Sequence, residues 1–170
     1  MKRIFFGLIL VFATTVICAQ KYAFVDTEYI LNNIPAYKAA QDKLNKLSTD
    51  WQKEIEAEHL ILEKMHQDYQ AEKILLTKEM MKQREAEIAS KDRAVKNLQK
   101  LFFGPNGELF KKRLELIKPI QDEVYDVIKD IAESGKYSII FDTASGTTIL
   151  FTDPKYDKSD EVLEKLGYKN

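Results

Sequence analysis

The side chains best typed for chemistry are His59, Glu63 and His66, spaced so that all three share one face of a helix. Two imidazoles and a carboxylate are metal-ligand types. Polar residues are also the norm on a solvated helix face between apolar rows, and no metal site is expected. Asp142 and Asp153 bracket a short stretch near the end of the chain and have the type for paired acid–base work. Asp beside a turn hydrogen-bonds nearby backbone so often that turn chemistry explains them better. There is no Gly-rich phosphate loop, no G-x-S-x-G and no His-rich metal motif. No catalytic residue, no cofactor and no enzyme activity are expected.

The elements that would position these residues are long helices. Tyr37 to Phe103 holds no Gly and no Pro and is rich in charge. Its apolar residues recur every seven positions, the period of a helix packed on another helix. Outward, one row reads Ile55, Leu62, Tyr69, Leu76 and a second Leu44, Trp51, Glu58, Met65. On the return the row is Met81, Ile88, Val95, Phe102, Leu109, Leu116. The phase breaks between Leu76 and Met81, which predicts the tip of an antiparallel hairpin near Leu76-Thr77-Lys78, with Thr77 capping the second helix.

Lys2 and Arg3, an uncharged run from Ile4 to Ile17, and then Cys18-Ala19 follow the pattern of a secretory signal peptide cleaved after Ala19. The run is short of the ~20 residues that span a bilayer. Bulky Ile17 disfavours a lipoprotein site at Cys18. Cleavage removes the only cysteine, so the mature chain has no disulfide. It also removes two of 26 basic residues against 27 acidic ones, leaving a net charge of about −3. No nucleic-acid partner is expected.

In the mature chain Tyr22 to Val25 reads as a strand. Asp26 or Thr27 caps a short helix to Leu31, and Pro35 opens the outgoing arm. Gly104-Pro105-Asn106-Gly107 should break or kink the returning arm. Glu108 to Glu133 reads as one further helix, bent at Pro119. Tyr137 to Asp142 and Thr147 to Thr152 read as the two strands of a hairpin. Ser159 should cap a last helix that Gly167 stops. The expected fold class is α+β: a small β-sheet body from 20–35 and 108–170, and a long antiparallel helical-hairpin arm over 36–107, after a signal peptide at 1–19.

Charge is uneven along the arm. Lys73, Lys78, Lys82, Arg84, Lys91, Arg93, Lys96 and Lys100 outnumber Glu79, Glu85, Glu87 and Asp92. Glu87–Lys91 and Asp92–Lys96 are helix-supporting pairs, and a basic excess remains after them. Such a tip can attract acidic segments, anionic lipid or lipopolysaccharide. Met65, Met80 and Met81 near the tip suit either an adaptable apolar surface or the helix seam.

Together these residues resemble the Skp/OmpH periplasmic chaperones. The resemblance rests on Phe24-Val25-Asp26, Ile30-Leu31, Pro35, Lys38-Ala39-Ala40, Leu44 and Leu47 near the start. At the end it rests on Ile139-Ile140-Phe141-Asp142, Leu150-Phe151, Asp153-Pro154, Asp157, Ser159, Val162-Leu163 and Leu166-Gly167.

It implies a homotrimer whose strands form an inter-subunit barrel through Phe24, Val25, Ile139, Ile140, Phe141, Ile149, Leu150 and Phe151. It also implies arms that hold unfolded outer-membrane proteins without ATP. Leu62, Met65, Tyr69, Leu76, Met81, Ile88, Val95, Lys78, Lys82 and Arg84 are then expected to meet the client. The alternative is a coiled-coil structural or adaptor protein of the envelope.

Overall fold

A computed structural model describes residues 21–146 and 149–168. The expected signal peptide and Thr147-Thr148 lie outside the described residues. The element order is β1 (Lys21–Val25), α1 (Thr27–Asn32), α2 (Pro35–Glu72), a 3-10 turn (Lys73–Leu75) and α3 (Lys78–Phe103). Then follow α4 (Glu108–Leu116), α5 (Lys118–Gly135), β2 (Tyr137–Asp142), a 3-10 turn (Pro154–Tyr156) and α6 (Ser159–Lys165). A small sheet and a long helical hairpin make the fold α+β, as expected.

The described residues divide into two compact units, one of 34–123 and one of 21–33 with 124–146 and 149–168. The first is the hairpin with α4 and the start of α5. Pro35 occupies the first turn of α2, where a missing N–H costs nothing. The 38 residues of α2 rise about 57 Å at 1.5 Å each. Thr77 caps α3 as expected, its hydroxyl accepting from the Met80 N–H at 3.3 Å. The seven-residue rows are the seam. Leu62, Tyr69, Ile88 and Val95 form one buried cluster, with Met65, Leu76 and Met81 packed against it. Ala40, Leu44 and Ile117 form a second with Tyr37, Leu109, Leu116 and Ile120. This second cluster is why α4 joins the hairpin's unit.

α3 ends at Phe103, and the Gly107 N–H closes the break on the Gly104 carbonyl at 2.9 Å. α4 then packs on both α2 and α3. Gly107 is required by close approach: a Cβ there would lie 2.7 Å from the Phe102 carbonyl oxygen. The single bent helix expected over Glu108–Glu133 is instead two helices. Ile117 ends α4, and Pro119 falls in the first turn of α5, so its ring has no preceding turn to clash with.

In the second unit the sheet has two parallel strands, with Tyr22 opposite Ile139 and Phe24 opposite Phe141. Ala23 and Val25 are buried, as are Ile30, Ile131, Val162 and Leu163. The expected strand hairpin is not formed: residues 149–153 have no regular structure, and β2 pairs with β1. The segment after β2 is committed elsewhere. Thr143 donates from its N–H to the Val25 carbonyl at 2.8 Å. Asp142 accepts from the Thr27 hydroxyl at 2.8 Å and from the Ala144 N–H at 3.0 Å. These bonds turn the chain toward α1 instead of reversing it on β2.

Ser159 is not the cap of α6 but its first residue. Its buried hydroxyl accepts from the Asp26 N–H at 2.9 Å, so the group expected to cap a helix joins two distant segments instead.

Candidate functional site

Two surfaces stand out: the flanks and turn of the hairpin, and one face of the sheet. The hairpin's register is set at its seam. Near its base Trp51 lies flat on Phe102, with centroids 4.9 Å apart and 7° between planes. Glu58, the one charge in the outward rows, forms a half-buried ion pair with Lys91 of α3. Nearer the turn the Tyr69 hydroxyl donates to Glu85 at 2.5 Å. That carboxylate holds the phenol above its ordinary value of 10.0, because a bond donated to an anion favours the protonated form. Arg84 reaches Glu72 across the hairpin at 3.4 Å.

The seam gathers most of the residues expected to meet a client. Leu62, Tyr69, Ile88 and Val95 are buried in it, and Met65, Leu76 and Met81 are half-buried against it. Their apolar surface is therefore spent inside the hairpin. Of the three cations named with them, Arg84 is bound to Glu72 and to Glu87, each at 3.4 Å. Lys78 and Lys82 are exposed and carry no ion pair among the described residues. The expected Glu87–Lys91 pair is replaced by Glu58–Lys91 across the seam, and Glu87 instead accepts from Arg84 and Gln83. Asp92–Lys96 forms at 2.7 Å.

What the seven-residue rows missed is the apolar surface outside them. Leu60 and Ile61 on α2 are 60% and 48% exposed, and Met80 on α3 is 49% exposed. In the turn Ile74 is 93% and Leu75 is 83% exposed. Leu60-Ile61 and Ile74-Leu75 lie fourteen residues apart, at the same two heptad positions. Apolar residues recurring off a filled seam were the available signal.

On the sheet, Tyr22, Ile139 and Phe141 are exposed on one face. Phe24 stacks on Phe141 at 5.6 Å and meets Tyr22 edge-on at 6.0 Å. Val25 is on the buried face, and Ile140 is half-buried. Ile149 is half-buried in irregular chain, where Leu150 and Phe151 are 94% and 81% exposed. Among the described residues β2 has no partner on its other edge.

Among the described residues no acid–base centre assembles. His59 and His66 are exposed on α2, and Glu63 accepts from Gln67. Among the described residues no group of three or more His, Cys, Asp or Glu side chains could hold a metal ion. Asp153 is a local cap, and its bond from the Lys155 ammonium keeps its carboxyl below the ordinary range.

A family model described as outer membrane protein (OmpH-like) matches residues 21–166. No curated protein matches the chain. Among solved structures, an OmpH-like protein from Caulobacter crescentus CB15, described as a candidate outer membrane chaperone, aligns with a TM-score of 0.66. The two share 16% identity, over 88% of this chain and 85% of that one. At that identity the likeness is one of fold.

Proposed function

The chain belongs to the OmpH-like family, and from that premise we propose that it is an ATP-independent periplasmic holdase for unfolded outer-membrane proteins. The observation that carries the reading is the apolar surface left over once the seam is filled. Leu60 and Ile61 are each about half solvent-exposed on a charged helix, which is costly in isolation and useful for weak, plural contacts with an unfolded chain. Seam residues such as Leu62 and Val95 then hold the hairpin together, and client contact falls to residues beside them. A holdase works by occupying the unfolded state and lowering its free concentration.

The same reasoning makes the protein an oligomer, a homotrimer by family resemblance. Tyr22, Phe24, Ile139 and Phe141 present an aromatic face beside an open strand edge. Leu150 and Phe151 are displayed in chain with strand-forming composition. Such edges call for covering, and a second copy provides matching strands.

The experiment is light scattering of a urea-unfolded outer-membrane β-barrel protein diluted with and without the chain starting at Gln20. Suppressed aggregation without nucleotide is expected, with a complex mass of three chains and one client. Leu60→Ser/Ile61→Ser should weaken suppression severalfold while leaving the fold intact. An oligomer with no suppression would instead favour an envelope adaptor, and a monomer would overturn the assembly.

A further inference from the structure

The sulfur of this chain is concentrated in one place. Cys18 is its only cysteine, and after Met1 its methionines are Met65, Met80 and Met81. All three lie in the outer half of the hairpin, on either side of its turn. Their surroundings differ. Met65 and Met81 pack against the buried cluster of Leu62, Tyr69, Ile88 and Val95, whereas Met80 is 49% exposed. Two thioethers therefore belong to the seam, and the third stands beside them as an internal contrast.

Packing alone does not select methionine here. Leu44 precedes Met65 in its seven-residue row, and Ile88, Leu109 and Leu116 follow Met81 in the other. What a thioether adds is a sulfur lone pair that an oxidant can take. Access is built in at Met65, which lines a cavity of about 50 Å³ with Asp68, Tyr69, Arg84 and Ile88. That is room for a molecule somewhat larger than water, and Asp68 and Arg84 make its wall hospitable to a polar one. Hydrogen peroxide is of that size, so it can reach Met65 without the hairpin opening. Met81 is only half-buried, next to exposed Met80.

We propose that Met65 and Met81 are an oxidation site that loosens the outer hairpin: a peroxide converts the two seam thioethers to sulfoxides, and a methionine sulfoxide reductase restores them. The sulfur lone pair attacks one peroxide oxygen, and the S–O bond forms as the O–O bond breaks. The departing oxygen takes the proton of the transferred one and leaves as water. Sulfur is oxidised and the peroxide reduced by the same electron pair. A flexible apolar side chain becomes a polar one. Against Leu62, Tyr69, Ile88 and Val95 its new oxygen lacks the donors that water would give it, which disfavours the packed seam. The effect stays in the outer hairpin. The cluster of Ala40, Leu44 and Ile117 and the Trp51–Phe102 stack contain no methionine. The inference stands apart from the holdase reading, because hydrogen exchange of the chain alone measures it.

The test treats the chain starting at Gln20 with hydrogen peroxide and follows each methionine by peptide mass. Conversion of all three is expected, with Met80 first. Amides of α2 around Leu62 and of α3 around Ile88 should then exchange about tenfold faster, while those around Ala40 and Leu44 keep their rates. Reduction by the two epimer-specific methionine sulfoxide reductases should return the original rates. Met65→Leu/Met81→Leu conserves apolar volume and should fold as the parent does. It should lose the response although Met80 is still oxidised, and Met80→Leu should keep it.

The oxidation and repair cycle on the parent tests the site even if the Leu pair folds poorly. Unchanged exchange with Met65 and Met81 fully converted overturns the proposal. So does a Leu pair that still responds, or Met65 and Met81 left intact by peroxide that has consumed Met80. Faster exchange that the reductases do not reverse, despite complete reduction, would assign the damage to other residues and overturn it as well.

Discussion

Glu58 and Lys91, 33 residues apart in sequence, meet across the hairpin as a half-buried ion pair. Glu58 stands in an otherwise apolar row, so the pair fixes which turn of α2 faces which turn of α3. A seam of leucines alone would tolerate a slip of one heptad; a charge with one partner does not. Lys91→Ala should therefore destabilise the hairpin by about 1 kcal/mol in urea unfolding. Glu58→Leu/Lys91→Leu should recover that loss or exceed the parent, while making register less unique. Disulfide trapping between helices would then capture slipped pairs in the double variant alone. A costless Lys91→Ala would remove the pair from the argument.

The bond from Tyr69 to Glu85 makes hairpin stability depend on alkaline pH. The folded phenol titrates above its ordinary value of 10.0 because it donates to a carboxylate. A proton held more tightly in the folded state stabilises fully below the unfolded pKa, and that contribution is lost as pH rises through the folded value. Stability should thus fall above about pH 10, and Tyr69→Phe should flatten this limb. With eight tyrosines in the chain, the phenolate signal has to be read as the difference between parent and variant. Glu85→Gln should move that difference titration back toward 10.

How much of this was legible follows the range of each interaction. The seven-residue rows, the cap at Thr77 and Pro35 in a first turn are local patterns, and the structure keeps them. The pairing of β1 with β2 is not local. Parallel strands joined by residues 26–136 leave no short-range mark, whereas Thr147 to Thr152 has strand composition close to Tyr137–Asp142 and invites the wrong partner. Lys91 failed similarly: Glu87 is the neighbour that a helix rule names, and Glu58 is the one geometry supplies. Ser159 has the residue type of a cap, but its tertiary partner was invisible. The apolar surface at Leu60, Ile61, Ile74 and Leu75 was readable in principle as residues off the rows.

The break before α4 depends on an absent side chain. A Cβ on Gly107 would fall within 2.9 Å of three backbone atoms, including the carbonyl oxygens of Leu101 and Phe102. Backbone cannot yield as a side-chain tip does, so Gly107→Ala should lower the melting temperature by the equivalent of about 1–3 kcal/mol. Pro119→Ala is the contrast. In the first turn of α5 the ring removes no intrahelical bond, so the change should stay within about 0.5 kcal/mol. Equal effects for the two would contradict the helix boundary between Leu116 and Lys118.

Ser159 joins the start of α6 to the junction of β1 and α1. Its hydroxyl accepts from the Asp26 N–H at 2.9 Å and donates to Asp157 at 2.6 Å, and the residue is 3% exposed. Ser159→Ala leaves a partly buried N–H without its acceptor, in a site with little room for water to replace it. The expected cost is about 1–3 kcal/mol. Hydrogen exchange should localise the effect, with faster exchange at the Asp26 amide and through α1. The hairpin amides of α2 and α3 should be unchanged, since their bonds lie within the other compact unit. Asp157→Asn is the milder companion: its amide oxygen can still accept from Ser159, so most of the stability should remain. If Ser159→Ala left the Asp26 amide as protected as before, the hydroxyl would have no part in joining these segments.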